Sequence, residues 1–376
     1  MTKVRNLMIA LSTKQRIGIV LSVVVVATGA VLGVLLSGGR APIALHATTT
    51  STPPTTTTTV PGLSVPFGYC PLTDVKAPTS VPNRPALAVK VGNEPNGARP
   101  QSGLNEADIV FDTPAEGFIM RYVMVFQCEN AGAIGPDRSV RWVDWHILRQ
   151  FQHPVIAYAG GIGYNLNIVA GLKWASADNL LGNAGGAGIR TTNRTPPDNL
   201  YTSTSALYAL SPAFNKEWGA PNPIFSYSAS PSSASTPLAS MRINFSYDTD
   251  AIWTWNKGLG KWVHSYSDGP DIDTLTGRPV VTDNVVVLVT KYRIGPYAEH
   301  IGGSGDFQSE TLGTGSGYIL RDGTMEKVTW ARRFVTEPWT FTGPDHKVVS
   351  LAPGKTFVEI VPNSTAAAKG ALTFVQ

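Results

Sequence analysis

The stretch "ADIVFDTPAEGFIMRYVMVFQCE", Ala107 to Glu129, decides how the exported half of this chain is built. It holds two short apolar runs, "ADIVFDTPAE" and "RYVMVFQCE", each bordered by Pro, Gly, Asn or Glu. Runs of that length with such borders read as strands. Two more of the same kind flank it, "PALAVKVGN" before and "PVIAYAGG" after.

Between these runs the period changes. In "RSVRWVDWHILRQF", Arg138 to Phe151, Trp142, Trp145 and Leu148 recur at spacing three, and Val143 and Ile147 at spacing four. That is a helix with a broad buried face. Further helices are expected over Asn165 to Trp174 and Ser203 to Phe214. Strands mixed with helices make residues 67–214 a mixed α/β or α+β domain. Residues 215–240 turn to Pro, Ser and Ala and read as a linker, although "PIFSYSA" within them has strand character.

Residues 241–376 offer no good helix and several hairpin signals, so the second domain is expected to be predominantly β. "AIWTWNKGLGKWVHSY" sets Gly258 and Gly260 between two aromatic-rich strands, and "GYILRDGTMEKVTWA" sets Asp322 and Gly323, a favoured two-residue turn, between two more. "NVVVLVTKYRI" and "KTFVEIVPN" add strands. No internal repeat of 20 to 50 residues is evident.

The N-terminus sets the compartment. Lys3, Arg5, Lys14 and Arg16, in a basic tail over residues 1–16, precede an uncharged run from Ile17 to Gly39, long enough to span a hydrocarbon core. It reads as a single-pass transmembrane signal anchor that leaves the rest extracytoplasmic, with late cleavage as the alternative. Residues 40–66, rich in Thr and Pro, read as an extended stalk. Cys70 and Cys128 fall on the exported side and are expected to pair. The alternative is a nucleophilic Cys with a His partner. The net charge of +4 drops to −1 once Lys3, Arg5, Lys14, Arg16 and Arg40 are set aside, so charge gives no argument for nucleic acid.

Familiar catalytic signatures are missing. "GGSGD", Gly302 to Asp306, fails the last position of a nucleophile elbow, and "GNAGGAG", Gly182 to Gly188, follows no convincing strand and reads as a loop. The six His show no spacing suited to zinc, and His146 reads as a core or hydrogen-bonding residue of the tryptophan helix. Asp268, Asp271 and Asp273 offer oxygen ligands to calcium. They lack the glycine and terminal glutamate of an EF-hand loop, so turn chemistry is the ordinary reading. No cofactor and no metal are expected.

One polar constellation stands out. "RPQSGLNEADIVFD", Arg99 to Asp112, brings Arg99 and Gln101 in a Pro-containing turn and Glu106 and Asp108 ahead of a strand. "EGFIMRY" adds Glu116 and Arg121, and "GPDRSVRW" supplies Arg138, Ser139 and Arg141 at a helix start. Arginines beside a Ser at a helix start suit an anion, because the guanidinium fork matches carboxylate or phosphate. The competing reading makes Arg121 and Arg138 internal partners of Glu116 or Asp112. Spacing alone favours that second reading.

At these residues the chain resembles the YerB-like family, a two-part family of bacterial proteins described as lipoproteins and of unknown function. The resemblance runs from about Cys70 to Asn363. It is carried by "RPALAVKVGNEPNGARPQSGLNEADIVFDTPAEG", "IGPDRSVR", "PDNLYTS" (Pro197 to Ser203), "DIDTLTGRPVVTDNVVVL" (Asp271 to Leu288) and "GSGYILRDG" (Gly315 to Gly323). It implies a cell-envelope protein with a mixed α/β part and a β-rich part, and no activity. Two features depart from the family pattern: a transmembrane-like anchor in place of a lipidated Cys, and Asp198 and Asp271 where the family tends to have His.

The expectation drawn from all this is an extracytoplasmic binding module for a cell-wall component or an envelope protein partner, anchored in the membrane and without nucleic acid. Its site candidates are Arg99, Gln101, Glu116, Arg121, Arg138, Ser139, Arg141 and Asn199, with Tyr201 as an aromatic face. One alternative is an envelope hydrolase using carboxylates drawn from Asp112, Glu116 and Asp198. Another is a structural partner of a membrane protein, which predicts an exposed apolar patch.

Overall fold

Strand follows strand from Leu87 onward. A computed structural model describes residues 63–210, 217–246, 249–298, 305–368 and 371–376. The expected basic tail, the anchor and nearly all of the stalk lie outside them. The longer strands are β1 (Leu87–Gly92), β2 (Ile109–Pro114), β3 (Met120–Phe126), β4 (Val155–Tyr158), β5 (Ser176–Asn179), β6 (Ser240–Ser246), β7 (Thr249–Asn256), β8 (Lys261–Tyr266), β9 (Asn284–Thr290), β10 (Gly313–Arg321), β11 (Thr324–Arg332), β12 (Thr340–Thr342), β13 (Thr356–Pro362) and β14 (Leu372–Val375). The helices are α1 (Trp142–Leu148), α2 (Gly163–Ala170), α3 (Thr204–Leu210) and α4 (Asn363–Ala367).

The larger sheet runs in the order β12-β11-β10-β9-β13-β2-β3-β1-β4-β5, with a short strand at Thr236–Pro237 pairing β11. Its centre is the parallel pairing of β2 with β13, Ile109 opposite Thr356 and Asp112 opposite Glu359. Strands from the two ends of the sequence therefore sit side by side in one sheet. A smaller sheet contains β8-β7-β6-β14.

Both faces of the larger sheet are covered, which is why its central strands are almost continuously apolar. Val110, Val285, Val287, Phe357 and Val361 point to one face and pack with Trp253, Trp262, Met241 and Ile243 of the smaller sheet. Ile109, Phe111, Val286, Val358 and Ile360 point to the other. There they pack with Val143, Ile147 and Leu148 of α1 and with Phe225 and Trp339. Each fully buried side chain of this size contributes roughly 1.5 to 3 kcal/mol relative to exposure. The turn at Asp322 and Gly323 takes positive φ at both residues, 50° and 68°, as a two-residue hairpin turn of the mirror-image type requires.

This arrangement corrects the expected fold class. Strand predominates throughout, and the helices among the described residues are short, seven, eight, seven and five residues. The apolar period in "RSVRWVDWHILRQF" does mark a helix, yet the α-helical part covers only Trp142–Leu148 before a 3-10 turn at Arg149–Phe151. α1 and α2 alternate with β3, β4 and β5 at one end of the sheet, and the rest of the sheet is built without such crossovers. The structure gives no support to the expected transmembrane helix, whose residues 17–39 lie outside the described ones; among the described residues no helix is long and apolar enough to cross a membrane.

Cys70 and Cys128 form a disulfide across 58 residues. It ties the segment before β1 to the end of β3. In the chain-entropy account, closing a loop of this length stabilises by about 4 kcal/mol. Reduction should lower the denaturant midpoint accordingly, and an unchanged midpoint after full reduction, verified by thiol titration, would show that the bridge adds nothing.

The β5 end of the larger sheet is closed by a side chain. Asn183 accepts from Asn179 N at 2.9 Å and donates to the Ala177 carbonyl at 2.9 Å, taking the place of a neighbouring strand.

Candidate functional site

The polar residues singled out in the sequence fall into two clusters. The first gathers Arg121 of β3, Arg138 and Arg141 before α1, Glu94 after β1, Glu116 between β2 and β3, and Asp198. Cis peptide bonds precede Pro100, Pro136 and Pro197 in the loops around it. Arg121 Nη2 lies 3.1 Å from Glu94 Oε1 and Arg138 Nε lies 3.5 Å from Glu94 Oε2. Arg138 Nη2 donates to Asp198 at 2.5 Å, and Arg141 Nε to Glu116 at 2.9 Å.

Electrostatics in this cluster follow from crowding. Burial raises the Glu94 carboxyl, but Arg121 and Arg138 more than reverse this and hold it below the usual range. Burial and then Arg141 push Arg121 below the ordinary guanidinium range. Arg121 Nε and Nη1 are buried without a hydrogen-bond partner. The cluster therefore holds guanidinium donors beyond those its own acids use. Asp198 links it to a cleft of about 340 Å³ lined by Gly97, Thr192, Asn193, Arg194 and Thr195.

The second cluster is buried between the two sheets. Asn93 Oδ1 accepts from Arg99 Nε, Gln101 Nε2 and Tyr266 OH, each at 2.9 Å. The Arg99 guanidinium lies 3.4 Å over the Tyr266 ring. Tyr266 continues to Tyr122 at 2.8 Å and to Asp271 at 3.2 Å, and Asp271 meets His264 Nδ1 at 2.8 Å. Nearby, Asp112 and Glu359 lie opposite each other on the neighbouring strands β2 and β13, and Trp253 Nε1 donates to Glu359 at 2.8 Å. Burial and the facing Glu359 carboxyl raise Asp112 well above the carboxylate range, and burial raises Glu359 too.

The structure thus brings Glu116, Arg121, Arg138 and Arg141 together and places Arg99 and Gln101 in the buried network. Ser139 is half-buried and makes no hydrogen bond to the arginines. Asn199 is occupied locally, accepting from Arg190 at 2.7 Å and donating to the Thr191 carbonyl at 3.2 Å. The Tyr201 ring packs against Gly135, where a Cβ would come within 2.7 Å of it, and lines a neighbouring cleft. Asp271 and Asp273 serve separate networks, Asp273 accepting from the backbone of Gly103, Asn105 and Leu275. His146 stacks on Trp142 at 3.6 Å and bonds the Trp142 carbonyl. Glu94, Asn93, Tyr266 and Glu359 were not singled out in the sequence. Only "VGNEPNG", a polar turn closing a strand, hinted at the first two.

Each carboxylate of the hydrolase alternative is tied to another group. Asp112 is buried against Glu359, Glu116 is tied to Arg141 and Asp198 to Arg138.

Two sequence halves build one sheet and share a polar network, and each half matches a domain of one family. Residues 72–217 match the N-terminal domain, and residues 241–358 the C-terminal domain, of the protein family of unknown function DUF3048. The chain belongs to that family. Among its relatives, it is 28% identical over 305 residues to the Bacillus subtilis (strain 168) protein described as "Putative lipoprotein YerB", covering 79% of this chain and 87% of that one. The crystal structure of YerB protein from Bacillus subtilis superposes with a TM-score of 0.68 at 24% identity, over 82% of this chain and 99% of that one. The resemblance read from the quoted stretches is borne out, and a relative described as a lipoprotein gives no support to a transmembrane anchor.

Proposed function

We propose that this chain is an extracytoplasmic protein of the bacterial cell envelope that binds a cell-wall component or envelope partner through an anionic group held by Arg121 and Arg138. The observation that carries this reading is the pair of buried, unpartnered donors on Arg121, next to Arg138 and the Asp198 cleft. Guanidinium forks in a site of lowered dielectric favour carboxylate or phosphate. The disulfide supports an oxidising compartment, and the relative described as a lipoprotein supports the envelope.

The test is sedimentation of the purified chain with purified cell-wall polymer. Wild type is expected in the pellet, and Arg138→Ala, shown folded by circular dichroism, is expected to lose at least tenfold of the bound fraction. Wild type left in the supernatant, or a folded Arg138→Ala that sediments like wild type, would remove the arginine cluster as the site.

A further inference from the structure

A further cleft, of about 620 Å³, lies where "SGLNEAD" meets "DTLTGRPVVTD" and is lined by none of the residues of the arginine cluster. Its base is stitched from segments far apart in sequence. Asn105 Nδ2 donates to Thr276 Oγ1 at 3.2 Å and to the Pro279 carbonyl at 3.1 Å, while its Oδ1 accepts from Val281 N at 3.0 Å. Asp273, fully buried, accepts from Asn105 N at 2.7 Å. Such a base is rigid before any ligand arrives.

The walls differ in character. Leu259, 59% exposed at the tip between β7 and β8, joins Pro279 and Val281 as an apolar side. Opposed to it in charge are three cations, Lys261, Arg278 and Lys355, against two acids, Glu106 and Asp283. Lys261 pairs with Asp283, and Lys355 Nζ donates to the Asn105 carbonyl. An ammonium has three donors, so Lys355 keeps two. The exposed Arg278 guanidinium has no partner among the described residues. Glu106 Oε2 is buried without a hydrogen bond. Burial, and then the Asp273 charge, raise the Glu106 carboxyl above its usual range, which makes the cleft more cationic as pH falls.

We propose that this cleft is a binding site for a small organic anion, a carboxylate or phosphate on an apolar stem, with Arg278 and Lys355 taking the charge and Leu259, Pro279 and Val281 the stem. The volume lies within the range of small-molecule sites, roughly 300 to 1,000 Å³, and charged groups share the cleft with an apolar side.

The experiment is isothermal titration of the full chain with hexanoate, hexyl phosphate, inorganic phosphate and hexanol. One or both amphiphilic anions should bind, and the stronger of the two assigns the head group. Inorganic phosphate and hexanol should each bind at least tenfold more weakly. Arg278→Ala, at an exposed position that leaves the fold intact, should weaken the anion at least tenfold, whereas Arg138→Ala should leave it unchanged. Glu106→Gln should strengthen binding at pH 8, where the native carboxyl opposes an anion. No binding of either anion, hexanol binding as tightly as hexyl phosphate, or undiminished binding by Arg278→Ala each overturns the proposal. A loss with Arg138→Ala and not with Arg278→Ala would move the anion to the arginine cluster.

Discussion

Replacing Asp144 with alanine should destabilise the fold by about 3 to 5 kcal/mol, the usual cost of leaving a buried charge without its partner. Lys90 in β1 is 2% exposed, and its Nζ donates to Asp144 Oδ1 at 2.7 Å and to Thr113 Oγ1 at 2.8 Å. Burial lowers the Lys90 pKa, and Asp144 is the group that opposes this. The other oxygen of Asp144 accepts from Arg141 N at 2.7 Å at the start of α1, so the same residue also anchors the helix. In Asp144→Ala, Lys90 keeps one neutral partner. The double variant Lys90→Met/Asp144→Ala should regain most of the loss, short of about 1 kcal/mol for the missing contact at the helix start. Urea midpoints followed by circular dichroism measure both. A single variant within 0.5 kcal/mol of wild type would mean that Lys90 reaches water.

The second large effect is on pH dependence. Burial raises Asp108 to about 6, and raises Asp112 and Asp137 well above the carboxylate range. A carboxyl whose folded pKa exceeds its unfolded one binds protons more tightly when folded. Its contribution is full below the unfolded pKa, near 4, and is lost as pH rises towards the folded value. For Asp108 that loss is about 3 kcal/mol between pH 4 and 6, and Asp112 and Asp137 add to it at higher pH. Glu94 acts oppositely, since its lowered pKa removes stability as pH falls below about 4.5. Stability should therefore peak on the acid side and decline towards pH 8. The urea midpoint at pH 5 should exceed that at pH 8, and Asp112→Asn should shrink the difference. A midpoint that rises from pH 5 to pH 8 would show that these carboxyls ionise freely in the folded chain.

How much of this was legible in the sequence depended on distance along the chain. β2, β3 and α1 announce themselves because strand and helix periods are local properties of "ADIVFDTPAE", "RYVMVFQCE" and "RWVDWHIL". The disulfide followed from compartment and from there being two cysteines. The partner of β2 did not, since alternation tells which face a residue takes and nothing of which strand lies beside it. The same holds for the site. Arginines and acids were visible as types, with Glu116 and Asp112 considered as partners for Arg121 and Arg138. The fold instead gives Glu94 to both arginines, Asp198 to Arg138 and Glu116 to Arg141, and sends Asp112 to Glu359, 247 positions away.

The side chain that closes the larger sheet bears on how these molecules live beside one another. A strand with unmet backbone groups is a template on which a second molecule can continue the sheet, and molecules crowded in one layer meet constantly. Asn183 presents to β5 the same donor and acceptor that an incoming strand would bring. The last rung already looks occupied, so the sheet stops at this edge, and a neighbour that meets it there is not recruited into a ribbon.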